Sequence, residues 1–135
     1  MDEGAATLQK GIQELGDGSF QKFMSGTDRL IIAEFYMEGC EACAAMDPVY
    51  EELSREMSGD AAFVKVDARA NIELALHYGV VATPTFLLFC RNQFLVDIVG
   101  VTNTTVLRNT IKDLIRHHQG CAAGKMTPFE QDGYG

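Results

Sequence analysis

The sequence predicts an α/β protein with a central mixed β-sheet flanked by helices on both faces. Three observations carry that expectation. Short apolar runs of strand length alternate with stretches whose apolar residues recur every three or four positions. The run "RLIIAEFY" (29–36) is almost continuously apolar, as suits a strand covered on both sides. Finally, "TFLLFC" and "FLVDIV" are separated only by "RNQ", a connection that suits a hairpin.

Each element follows from a local pattern. "GIQEL" (11–15) is a weak strand candidate. In "SFQKFMSG", Phe20, Phe23 and Met24 fall on one helical face, and Gly26 is a natural stop. "RLIIAEFY" supplies the next strand. Beyond Cys40 the period changes: Cys43, Met46, Tyr50, Leu53 and Met57 recur at helical spacing, with Pro48 inside the helix as a kink. "AFVKVD" (62–67) reads as a strand. "NIELALHYG" reads as a helix with Asn71 as N-cap, Ile72, Ala75 and Leu76 on one face, and Gly79 as stop. After the hairpin, Leu107, Ile111, Leu114, Ile115 and His118 mark a last helix from Thr104 to Gly120. The order is β-α-β-α-β-α-β-β-α, an α/β sandwich.

Size and charge narrow the function. The 135 residues, 47% hydrophobic and 22% charged, suit one domain with its own core, over 1–119. Residues 120–135 are glycine-rich and aperiodic, and read as a flexible C-terminal tail. The net charge of -8 disfavours nucleic acid and anionic membrane as partners, because its field repels phosphates. The acidic start "MDEGAATLQKG" has no apolar core of a secretory signal. No apolar run approaches the roughly 18 residues that span a bilayer. A cytoplasmic protein is therefore the expectation, and in a reducing compartment a close cysteine pair is catalytic or metal-binding more often than structural.

Of the four cysteines, Cys40 and Cys43 form such a pair, in "FYMEGCEACAAMDPVY". Cys40 stands where a buried strand ends and a helix begins. Free backbone N–H groups and the positive end of the helix dipole stabilise a thiolate there. Cys43 lies one turn further on, within reach for a disulfide. Cys40 is thus expected to be the exposed nucleophile and Cys43 the shielded resolving thiol, which releases the mixed disulfide formed by attack on a substrate.

At this point the chain resembles the thioredoxin family, from about Gly11 to Gln119. "AEFYMEGCEACAAMDP" is similar to the family's strand, active-site motif and kinked helix, and "FVKVD" to the next strand. "YGVVATPTFLLF" is similar to the segment carrying the family's cis-proline, here Pro84, and "VDIVG" ends in Gly100, which matches a family glycine. The pattern runs from Glu34 to Gly100 without a gap.

The resemblance implies a thioredoxin fold and a thiol-disulfide oxidoreductase that reduces protein disulfides through a reversible Cys40–Cys43 pair. It makes Glu34 the buried general base for the resolving cysteine and Lys65 its partner; a half-exposed Glu34 facing solvent is the competing expectation. Tyr36, Gly39, Thr83, cis Pro84 and Gly100 fall in the substrate-binding surface, the Thr83 backbone pairing with an extended substrate segment. The expected partners are disulfide-bearing proteins and an unidentified reductase, the expected state a monomer, with no cofactor and no metal. The chain departs from the common Trp-Cys-Gly-Pro-Cys by reading Gly39-Cys40-Glu41-Ala42-Cys43 without any tryptophan. Rival readings are a more oxidising relative of the disulfide isomerase or glutaredoxin kind, and a redox-silent binding module. "HHQGC" offers His117, His118 and Cys121, but no second Cys-x-x-Cys completes a zinc site, so a spare thiol on a solvated helix end is the expectation for Cys121.

Overall fold

Leu30–Tyr36 carries six consecutive buried residues before the half-buried Tyr36, and such a run can satisfy its backbone only inside a sheet. It does so as the third strand, β3, of a six-stranded sheet in the computed structural model, which describes residues 7–9 (backbone only), 11–118 and 121. The other strands are β1 (Thr7–Gln9), β2 (Ile12–Leu15), β4 (Ala61–Asp67), β5 (Thr85–Cys90) and β6 (Gln93–Val99). The helices are α1 (Phe20–Ser25), α2 (Glu41–Glu56), α3 (Ile72–His77) and α4 (Thr104–His117). The sheet order is β1-β2-β4-β3-β5-β6. Strands β2, β4 and β3 run parallel; β5 and β6 continue antiparallel, and β1 pairs antiparallel with β2.

The pleat sorts the core into two layers. Leu30 and Ile32 pack with Met46, Tyr50 and Leu53 of α2 and with Leu107 and Ile111 of α4. Ile31, Ala33 and Phe35 point the other way, onto Phe20 and Met24 of α1 and Ala75 of α3. The helices therefore cover both faces. The Tyr50 hydroxyl lies 2.8 Å from the carbonyl oxygens of both Ile32 and Val64, which pins α2 over β3 and β4. Helix α2 continues through Pro48, whose missing N–H leaves the Ala44 carbonyl without its helical donor.

Several local expectations need correction. β1 lies in a stretch that reads as an acidic N-terminus. The hairpin turn is Arg91-Asn92 alone, with φ of 54° and 71°, and Gln93 already belongs to β6. Asn71 stands at the N-cap position of α3 but does not cap it. Its Oδ1 accepts the Asp17 N–H at 2.9 Å and its Nδ2 donates to the Asp67 carbonyl at 3.0 Å, tying the β2–α1 loop to the β4–α3 loop. On α3, Ala75 is buried, whereas Ile72 and Leu76 are 56% and 66% exposed. α4 ends at His117, short of the expected Gly120, and Asn103 caps its start by accepting the Val106 N–H.

Cys121 is not a spare thiol. It is fully buried, and it is joined to Cys90 at the end of β5, with the Cα atoms 5.6 Å apart. The first part of the expected tail is thereby fastened to the core; residues 122–135 lie outside the described residues. Among the described residues, no helix is long and apolar enough to cross a membrane.

Candidate active site

β3 delivers the chain to the C-terminal edge of the sheet, where Gly39, at φ 81°, turns it into α2. Cys40 occupies the N-cap of α2 with extended backbone, and its sulfur accepts the Cys43 N–H at 3.1 Å. The Thr83 hydroxyl donates to the same sulfur at 3.4 Å. Cys40 and Cys43 are joined as a disulfide with Cα atoms 5.2 Å apart. Cys40 is partly exposed, whereas Cys43 is 4% exposed beneath it. Two hydrogen-bond donors and a helix N-terminus converge on the outer sulfur, and each favours negative charge there once the pair is reduced.

Behind the cysteines lies a row of charged residues crossing three strands. Glu14 of β2 is the register partner of Lys65 on β4, and Lys65 is the register partner of Glu34 on β3. All three point to the face that α2 covers. Glu34 is fully buried, and neither carboxylate oxygen has a hydrogen-bond partner. Burial pushes its carboxyl up to about 7; the Lys65 charge opposes this, while Asp47 and Glu14 add to it. Lys65, which the resemblance makes the partner of Glu34, forms no direct hydrogen bond with it. Its ammonium bonds Asp47 Oδ1 at 3.2 Å and lies 4.5 Å above the Tyr36 ring. The Tyr36 hydroxyl donates to Glu14 Oε2 at 2.7 Å, and burial pushes the pKa of both the phenol and the Glu14 carboxyl up, so each holds its proton more tightly.

Facing the disulfide is the loop before β5, in which the Thr83-Pro84 peptide is cis. The Thr83 carbonyl oxygen is 3.6 Å from Cys40 Sγ. Gly100, at φ 94°, donates its N–H to the Pro84 carbonyl at 2.8 Å, a backbone angle that side-chain-bearing residues rarely adopt. The Thr102 N–H bonds the Met46 sulfur, holding that loop on α2.

Two hollows adjoin the site. A cleft of about 210 Å³ runs from Gly39, Cys40 and Cys43 to Asp47 and Lys65, with Tyr36 along its wall. On the other side of Thr83, a groove of about 350 Å³ is lined by Met37, Arg69, Ile72, Leu76 and Val81. The structure thus brings Cys40, Cys43, Thr83 and Pro84 together, with Gly100 and Tyr36 at the rim and Glu34 and Lys65 behind. Sequence reasoning missed the Thr83 hydroxyl, Asp47, Glu14 and the groove. A carboxylate at Asp47, one helical turn past Cys43 on the face toward Lys65, was the available signal.

A reversible disulfide at a helix N-terminus, one sulfur open to solvent and the other buried, defines a thiol-disulfide oxidoreductase centre. The sequence model of thioredoxin matches residues 11–113, and the chain belongs to the thioredoxin family as a protein-disulfide oxidoreductase. It is 34% identical over 101 residues to Thioredoxin-1 of Schizosaccharomyces pombe, covering 75% of this chain and 96% of that protein. It is also 36% identical over 108 residues to a peptide-N(4)-(N-acetyl-beta-glucosaminyl)asparagine amidase of Caenorhabditis briggsae, covering 80% of this chain but only 17% of the amidase. Among solved structures, Schistosoma mansoni thioredoxin superposes with a TM-score of 0.71 at 30% identity, covering 77% of this chain and 95% of that one. Thioredoxin NaTrxh of Nicotiana alata gives 0.72 at 25% identity, covering 79% and 95%.

Proposed function

We propose that the protein reduces disulfides in other proteins, with Cys40 as nucleophile, Cys43 as resolving thiol and Glu34 as general base. The observation that supports this most is the asymmetry at the sulfurs: Cys40 receives the Cys43 N–H and Thr83 O–H, while Cys43 is 4% exposed. In the reduced protein the Cys40 thiolate attacks one sulfur of the substrate disulfide. A Cys40–substrate bond forms, the substrate S–S bond breaks, and the departing sulfur leaves as a thiolate that takes a proton from solvent. Cys43 then gives its proton to Glu34 by way of water and attacks Cys40 Sγ. The second substrate sulfur leaves and takes up a proton, and the protein keeps the Cys40–Cys43 disulfide. Two electrons have passed to the substrate. Glu34 suits the role because an acid held to about 7 is partly ionised near neutral pH and returns its proton readily.

Recharging requires two electrons from a reductase. A relative from Mycobacterium leprae, 28% identical over 102 residues, is a bifunctional thioredoxin reductase/thioredoxin, which supports a thioredoxin reductase as the class of donor. Tyr36, Gly39, Thr83, Pro84 and Gly100 frame the docking edge, where the backbone of the half-buried Thr83 receives an extended substrate segment. The working form is a cytoplasmic monomer whose catalytic domain is 1–119, extended by the Cys121 anchor.

Dithiothreitol-driven insulin reduction tests the reading. Wild type should be active, Cys40→Ser inactive, and Cys43→Ser should accumulate mixed disulfides through Cys40. Equal, near-zero rates for wild type and Cys40→Ser would point instead to a redox-silent binding module. Adducts on Cys40→Ser and none on Cys43→Ser would reverse the two roles.

A further inference from the structure

Lys65 is bracketed by three carboxylates. Glu14 and Glu34 flank it in register across the sheet, and Asp47 reaches it from α2. Only one of them holds it. The ammonium sits 3.2 Å from Asp47 Oδ1, Glu14 is taken up by the Tyr36 hydroxyl, and the Glu34 oxygens have no partner at all. A fully buried carboxylate attracts a cation on the neighbouring strand strongly, because little water screens the two, and the cost of drying the ammonium opposes that attraction. Asp47, with a side chain 47% exposed, holds the Lys65 head toward the cleft instead.

We propose that Asp47 is a positioning residue: by holding the Lys65 ammonium in the cleft, it keeps that cation off Glu34 and so sets the pH at which Glu34 exchanges its proton. Asp47 acts twice in the same direction. It occupies the cation that would stabilise the Glu34 carboxylate, and its own negative charge opposes ionisation of Glu34. The other groups facing Glu34 do not substitute for it. Glu14 on β2 adds a weaker repulsion, Tyr36 on β3 is bonded to Glu14, and the Tyr50 hydroxyl on α2 is turned to the Ile32 and Val64 carbonyls. From α4, the buried residues facing this layer are Leu107 and Ile111, both apolar. The consequence for turnover rests on the proposed role of Glu34: a base kept protonated until near neutrality makes resolution by Cys43 fall away as the medium turns acid.

The test is a carboxyl NMR titration of Glu34 in the reduced full chain, with glutamate labelled and the signal assigned by its loss in Glu34→Gln. Asp47→Asn should lower the Glu34 midpoint by about one pH unit, as expected for removing a charge and freeing a cation nearby. Asp47→Glu, which keeps the charge, should leave the midpoint close to wild type. Lys65→Met should raise it, and adding Asp47→Asn to Lys65→Met should then lower it by clearly less than in the wild-type background. An unmoved or raised midpoint in Asp47→Asn overturns the proposal. So does an equal shift in both backgrounds, which would leave repulsion alone. The pH–rate profile separates this from the general-base reading: a midpoint that moves while the acid limb of insulin reduction stays put refutes the role of Glu34 and leaves that of Asp47 standing.

Discussion

The Thr83 hydroxyl donates to Cys40 Sγ from the facing loop, 3.4 Å away, in addition to the Cys43 N–H at 3.1 Å. The loop before β5 therefore reaches Cys40 Sγ through a side chain as well as through its backbone. A hydrogen bond to a charged acceptor contributes about 1.5–3 kcal/mol, and sulfur acceptors fall at the weak end. Thr83→Val removes the hydroxyl and keeps the shape. Alkylation of Cys40 by iodoacetamide at neutral pH should slow by about 5–10-fold, and the deficit should close in alkali, where the thiol ionises unaided. An unchanged rate at neutral pH would show that the hydroxyl contributes nothing to the thiolate.

Glu34 makes stability depend on pH with a definite sign. Its folded value of about 7 lies above the ordinary 4.5, so the folded state holds the proton more tightly than the unfolded chain. The associated stability is complete below 4.5 and is lost as pH rises through 7. Relative to Glu34→Gln, wild type should lose up to about 3 kcal/mol between acid and alkaline conditions. Denaturant unfolding at about pH 4 and pH 8 measures it. A difference between the two proteins that stays constant with pH refutes the buried, titrating acid.

What could be read in advance divides along physical lines. The core strands and α2 were legible because burial on both faces leaves a continuous apolar run, and a helix covering a sheet leaves a 3.6-residue period. Cys40 and Cys43 were legible because strand, turn and helix start follow one another directly in sequence. Glu34 stood out as the one acid within "LIIAEFY". The Lys65–Asp47 pair was not, since partner choice among three nearby carboxylates is decided by register and by the path of α2, neither of which has a local signature. Cys90 and Cys121 are 31 residues apart with no motif between them, and only the fold brings them together. Asn71 has the composition of a cap, yet a distant loop, through the Asp17 N–H, outcompetes its own helix for the side chain.

The Cys90–Cys121 link should matter to stability and not to turnover. It closes a loop of 31 residues, for which the chain-entropy estimate is about 3–4 kcal/mol. It also lies at the end of β5 remote from Thr85, the residue that follows the active-site loop. Cys121→Ala and Cys90→Ala should each lower the denaturation midpoint of the oxidised protein, because either one breaks the link and removes a buried sulfur from the core. Insulin reduction under conditions where the protein stays folded should be unchanged by either. A Cys121→Ala protein as stable as wild type would mean that the link adds nothing to the fold.

Ile72, Leu76 and Val81 are 56%, 66% and 92% exposed, and all three line the groove beside Thr83. Apolar residues gathered at this exposure add little to the protein's own core, and a contiguous patch of them marks a surface that another chain can cover. A protein substrate attacked at Cys40 would run over Thr83 and lay its flanking side chains here. Burying two such residues is worth about 1–3 kcal/mol, so Leu76→Glu combined with Val81→Ser should raise KM for a protein disulfide roughly 5–100-fold. A small aromatic disulfide needs only the sulfur, so its rate should stay within about twofold of wild type, and thermal stability should hold because neither residue is in the core. Equal losses on both substrates would place the defect at the cysteines, and an unchanged KM for the protein would assign the groove no part in docking.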